Sequence, residues 1–164
     1  MPASFELSES NGVGEDVTDG ITTLNFGNVD APDLVVATYP IPIPGNAFEK
    51  FIRVHVTGTF SKVDNIKIWK SAGAYLTGES IQTNLKIAAY TAESYAQPSI
   101  TTFTDQGMPT SEPGSANLGI GGALDGYLDA PGYSDYWKAQ LQFAGTRPAG
   151  NSNTFTYTWE CDEQ

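Results

Sequence analysis

The run EKFIRVHVTGTF, Glu49 to Phe60, alternates apolar and polar side chains along its centre. Ile52, Val54 and Val56 fall on one side of a period-2 ribbon, and Arg53, His55 and Thr57 on the other. Only extended backbone sends successive side chains to opposite faces, so this run predicts a strand with one face in a core. The same period recurs in VDNIKIWK (Val63–Lys70), with Ile66 and Ile68 on one face and Lys67 and Trp69 on the other. In YWKAQLQF (Tyr136–Phe143), Trp137, Ala139, Leu141 and Phe143 point inward. In FTYTW, Phe155, Tyr157 and Trp159 share one face, and the segment 145–153 is the turn that precedes it. GITTLNF (Gly20–Phe26) reads as a first strand. Ile81–Thr91 reads as another, with Leu85, Ile87 and Ala89 on one side, although its Leu, Lys and Ala content also suits a short helix. The short link from Phe60 to Val63 predicts that the two best strands are antiparallel neighbours.

The residues between these runs set the fold class. Seventeen glycines and ten prolines in 164 residues, with only 16% charged residues, favour short strands joined by turns. No crossover helix repeats, so the expectation is an all-β, antiparallel β-sandwich, with about eight strands in a jelly-roll-like arrangement. An immunoglobulin-like sandwich is the alternative, but its Cys…Trp…Cys spacing is absent. YPIPIPG, with Pro40, Pro42 and Pro44, cannot be a central strand because proline has no N–H for a ladder. It should be an extended edge or polyproline-like connection. Residues 1–19 hold five acids and no base, and read as a flexible acidic N-terminal arm ahead of a single domain at 20–164. Residues 91–134 read as a long Gly/Pro-rich loop, with the glycines of LGIGGALDG supplying flexibility.

Eight basic residues against nineteen acidic ones give a net charge of −11. Between Lys86 and Lys138 there are six acids and no base. Nucleic-acid binding and docking on an anionic membrane both need clustered Lys and Arg, so neither partner is expected. No apolar run reaches the length of a membrane span, and MPASFELSES has none of the features of a signal peptide. The lone Cys161 makes neither an internal disulfide nor a zinc cage, which suits a reducing compartment.

A search for chemistry finds no active site. No GxSxG follows a strand, and the only histidine, His55, has no nucleophile near it in sequence. GIGGALDG lacks the Lys-Ser/Thr ending and the strand–loop–helix frame of a phosphate loop. Asp125, Asp129 and Asp135 share one loop, but their spacing matches no EF-hand. We therefore expect no catalytic residue, no metal and no cofactor. The residues suited to partner contact are Phe5 and Leu7 in the arm, Ile41 and Ile43 between the prolines, and Arg53 and His55 on the polar strand face. Trp69, Tyr127 and Tyr133 complete the set as candidate exposed aromatics.

The segment 24–73, LNFGNVDAPDLVVATYPIPIPGNAFEKFIRVHVTGTFSKVDNIKIWKSAG, resembles small virion-associated proteins of tailed bacteriophages. The FGNVDAP entry, the EKFIRVHVTGTF strand and the VDNIKIWKSAG strand carry the resemblance, over about a third of the chain. It is most like a small capsid decoration (cement) protein. That resemblance implies a β-sandwich that stabilises the capsid by bridging major capsid protein subunits, often as a homotrimer, on the capsid surface of the virion after synthesis in the host cytoplasm. A carbohydrate- or receptor-binding β-sandwich of a phage tail or other virion part is the alternative. A small enzyme on a jelly roll ranks third.

Overall fold

The computed structural model describes residues 2–92, 100 and 108–164. Nine strands run β1 (Ser4–Asn11), β2 (Asp16–Asp19), β3 (Gly45–Asn46), β4 (Lys50–Thr57), β5 (Val63–Ala72), β6 (Glu79–Ile87), β7 (Gly132–Tyr133), β8 (Tyr136–Phe143) and β9 (Thr156–Glu163). There is no helix among the described residues.

Seven strands form one antiparallel sheet. Its spine is β2-β1-β4-β8, and β6 lies along the far side of β8. The short β3 continues the line of β4 beside β8, and the short β7 continues the line of β8 beside β4. The second sheet is only the antiparallel pair β5-β9. The fold is thus a sandwich whose described strands split unevenly, seven against two.

The period-2 signal places the core correctly. Ile52, Val54 and Val56 of β4 are buried, as are Ile66 and Ile68 of β5 and Trp137, Ala139 and Leu141 of β8. Ile81, Thr83 and Leu85 bury the predicted face of β6, which forms a strand and not a helix. Phe155, Tyr157, Trp159 and Cys161 pack against this core from β9. Phe5 meets Trp159 with ring centroids 5.5 Å apart, and Trp137 meets Tyr157 at 4.6 Å, so aromatic pairs join the two sheets.

Four sequence expectations are corrected. Residues 1–19 are not a flexible arm: β1 pairs with β4 from Ser4↔Thr57 to Ser10↔Phe51, and β2 folds back on β1 as the edge of the sheet. Acidity misled because the outward-facing acids meet His55 and Arg53, and Glu9 is buried against Lys50 with 2.5 Å between Oε1 and Nζ. Gly20–Phe26 forms no strand, although Ile21 and Phe26 are buried. β4 and β5 are not neighbours, because the chain crosses between sheets after Phe60. Finally, two of the glycines near residue 120, Gly119 and Gly126, serve close approach, and Gly121 and Gly122 take positive φ. A Cβ at Gly126 would stand 2.0 Å from the Ile120 carbonyl oxygen, and one at Gly119 2.4 Å from the Asp135 carboxylate. Residues 93–99 and 101–107 of the predicted 91–134 loop lie outside the described residues.

Candidate functional site

The uneven split shapes a large concavity among the described residues. Two strands cannot cover five strand positions, and the uncovered part of the inner face floors a cleft of about 990 Å³. Ile52, Trp137 and Leu141 form the floor, Phe155 and Tyr157 of the β9 segment stand on one wall, and residues 21–43 form the other. None of the described residues lining it is charged, in a chain with 27 charged residues. Its rim is amide and hydroxyl: Asn25, Asn151, Ser152, Asn153 and Thr154.

Two further observations belong to this cleft. β9 pairs with β5 on one side only, and among the described residues no strand takes its other edge. An unpaired edge offers a row of backbone donors and acceptors. In addition, Trp137 Nε1 and Tyr157 Oη are buried without a hydrogen-bond partner among the described residues. Buried polar groups are usually paired, and these two orphans stand on adjacent rings beside one cleft. Burial pushes the Tyr157 phenol well above the ordinary tyrosine range, so the hydroxyl stays neutral.

The outer face of the large sheet holds the second constellation. Glu6 of β1 and His55 of β4 are direct cross-strand partners, with Glu6 Oε1 2.8 Å from His55 Nδ1. Asp19 Oδ1 of β2 lies 3.5 Å from the same nitrogen. Tyr133 of β7 pairs with His55 across the ladder and stacks on its ring, with centroids 4.2 Å apart and planes 14° apart. The Arg53 guanidinium lies 4.0 Å from the Tyr133 ring centre and 4.7 Å from that of Tyr136, and pairs with Glu15 at 3.5 Å. Arg53 and His55 are therefore on the predicted face, but both are largely enclosed by their own chain.

The nine candidate contact residues separate into distinct places. Leu7, Ile41 and Ile43 line the cleft. Arg53, His55 and Tyr133 meet on the outer face of the large sheet. Phe5 is partly buried and packs against the core. Trp69 is half-buried on the outer face of β5, and Tyr127 is 56% exposed near Lys62. Trp69 and Tyr133 lie on opposite outer faces of the sandwich, so these aromatics form no single sugar-stacking platform.

The chemistry considered for the loops does not assemble. Asp135 is buried and accepts hydrogen bonds from the Gly122 N–H at 3.1 and 3.0 Å, whereas Asp125 and Asp129 are exposed. Burial raises the Asp135 carboxyl above its ordinary range, against the lowering effect of those backbone donors. Cys161 sits in β9 against the core, not in a mobile tail, and burial among acidic neighbours pushes its thiol up to about 11. It stays protonated and a poor nucleophile. Among the described residues, His55 meets carboxylates and the Tyr133 ring, and no serine or cysteine.

Sequence reasoning missed Trp137 and Tyr157 as site residues, because inward phase reads as core. The uncharged run Gly150–Thr154 was the available signal, since it is free of Lys, Arg, Asp and Glu beside a strand. Comparisons with family models, with curated proteins and with solved structures returned no match.

Proposed function

We propose that this chain is a non-enzymatic structural protein of a phage particle, which decorates the capsid and bridges major capsid protein subunits. The uncharged cleft beside the unpaired edge of β9 carries this reading. A lattice-binding protein needs a preformed docking surface, and an extended segment of a capsid subunit suits this one. Its backbone would pair with β9, its apolar side chains would fill the floor, and a backbone carbonyl would accept from Trp137 Nε1 or Tyr157 Oη. The rest of the chain supports the same role. It is strongly acidic, which favours solubility before assembly, and its N-terminal hairpin is tied into the sheet. The resemblance of residues 24–73 to virion-associated proteins supplies the setting, and a homotrimer is the assembly proposed with it.

The test counts copies of this chain against the major capsid protein in purified virions, then sediments it with undecorated capsids. A copy ratio near one or a simple fraction of one, with co-sedimentation lost in Ile43→Lys, supports the proposal. A few copies per particle with no capsid binding overturns it. The second reading, a carbohydrate- or receptor-binding piece of a phage tail, draws on the amide and hydroxyl rim of the cleft. Titration with neutral polysaccharides separates the two.

A further inference from the structure

The outer-face cluster around His55 has no role in the proposal above. Three side chains from three strands converge there: Glu6 from β1, Asp19 from β2 and His55 from β4. Their donor atoms all lie within 4.8 Å of one another. The carboxylate oxygens of Glu6 and Asp19 lie 2.8 and 3.5 Å from His55 Nδ1, so a small widening of the Glu6–His55 pair brings both to the spacing of ligands on one ion. Ligands held about 2.0–2.2 Å from one metal stand roughly 3–3.5 Å apart.

Hydrogen bonding within the triad itself is limited to one proton at a time. Both carboxylates are acceptors only, and Nδ1 offers at most one proton. That proton can lie along the line to Glu6 or to Asp19, not both. A divalent cation takes one lone pair from each of the three ligands at once and offsets the repulsion between the two carboxylates.

The surroundings orient these ligands. Ser8 Oγ donates to Asp19 Oδ1 at 2.5 Å, and the Tyr133 hydroxyl lies 3.3 and 3.4 Å from the two Asp19 oxygens. The Tyr133 ring fixes the imidazole plane by stacking. Such outer partners hold a ligand set in one geometry. The nearest cation, Arg53, is drawn to Glu15 and to the Tyr133 and Tyr136 rings.

We propose that Glu6, Asp19 and His55 form a binding site for a divalent transition-metal ion, with one imidazole nitrogen, two carboxylate oxygens and water completing the shell. Mixed nitrogen and oxygen donors suit Zn²⁺, Mn²⁺ or Co²⁺ better than Ca²⁺, which takes six to eight oxygens. The site spans β2, β1 and β4, so the ion fastens the edge hairpin to the centre of the sheet.

The experiment titrates the full, metal-free chain with ZnCl₂ by calorimetry and follows Co²⁺ binding by visible absorption. One equivalent should bind, the Co²⁺ bands should show nitrogen ligation, and saturating zinc should raise Tm by a few degrees. His55→Gln and Asp19→Asn should each weaken binding at least tenfold while their metal-free circular dichroism matches the parent. Absence of binding overturns the proposal. So does zinc binding that both variants retain, which would place the ion elsewhere, such as at Cys161.

Discussion

The two outer edges of the β5-β9 sheet are treated in opposite ways. The β5 edge is covered. Val63 exchanges backbone hydrogen bonds with Leu128 at 2.8 and 2.9 Å, and the Ile66 carbonyl accepts from Asn117 and Leu118 at 3.1 and 3.2 Å. The Asn117 side chain then acts like a strand residue: its Oδ1 accepts from Ile68 N–H and its Nδ2 donates to the Ile68 carbonyl, both at 2.8 Å. The β9 edge has no strand beside it among the described residues and opens on the cleft. Soluble proteins usually cover or charge an exposed edge. Covering one edge with a loop while leaving the start of its counterpart, Thr156 and Tyr157, bare beside an uncharged cleft marks that stretch as a surface for a partner; the acids of β9, Glu160, Asp162 and Glu163, lie beyond it.

The contrast can be broken at its closed side first. Leu118→Ala should cost about 2–5 kcal/mol by emptying a fully buried site, and Asn117→Ala about 2–4 kcal/mol by orphaning two buried backbone groups. Urea unfolding measures both, and losses below about 1 kcal/mol would mean the cover is dispensable. On the open side, removing a polar atom should do the reverse. Tyr157→Phe deletes a buried hydroxyl that has no partner and should stabilise the free protein by about 1 kcal/mol. A clear destabilisation would show that the hydroxyl is satisfied within the fold.

The closed side also carries a pH signature. Asp135 holds the Gly-rich cover through Gly122, and its carboxyl is raised in the folded state by burial. Its contribution is fully present below the ordinary aspartate pKa, about 4, and is lost as pH rises through the raised folded value. Asp135→Asn should therefore flatten the fall in stability above about pH 4 relative to the parent, measured as urea midpoints across pH. Parallel pH profiles would refute this. The smallest effect belongs to the cleft rim. Ile43→Lys alters a side chain that is 38% exposed and should change stability by no more than about 0.5 kcal/mol, while abolishing capsid co-sedimentation.

Period-2 alternation was enough to find β4, β5, β8 and β9 and to assign their inner faces, since pleat geometry is local, whereas the sequence leaves β6 open between a strand and a short helix. It also placed Arg53 and His55 together on the polar face of one strand. It could not show that Glu6 and Asp19 would join His55, because cross-strand partners are chosen by register between distant segments. The acidic N-terminus illustrates the same gap. Its composition suggests a free arm, but Phe5 and Leu7 supply an inward face that packs against the core once β1 pairs with β4.

What the sequence determined by itself is therefore the all-β class, the core-facing residues and the absence of a local catalytic motif. Tertiary structure alone decided that, among the described residues, seven strands oppose two, the start of β9 borders an uncharged cleft, and Trp137 Nε1 and Tyr157 Oη have no hydrogen-bond partner there. The physical reason is that a strand's own residues specify which way its side chains point. Which strands lie beside it, and how much of a sheet is left uncovered, depends on the sum of contacts over the whole chain.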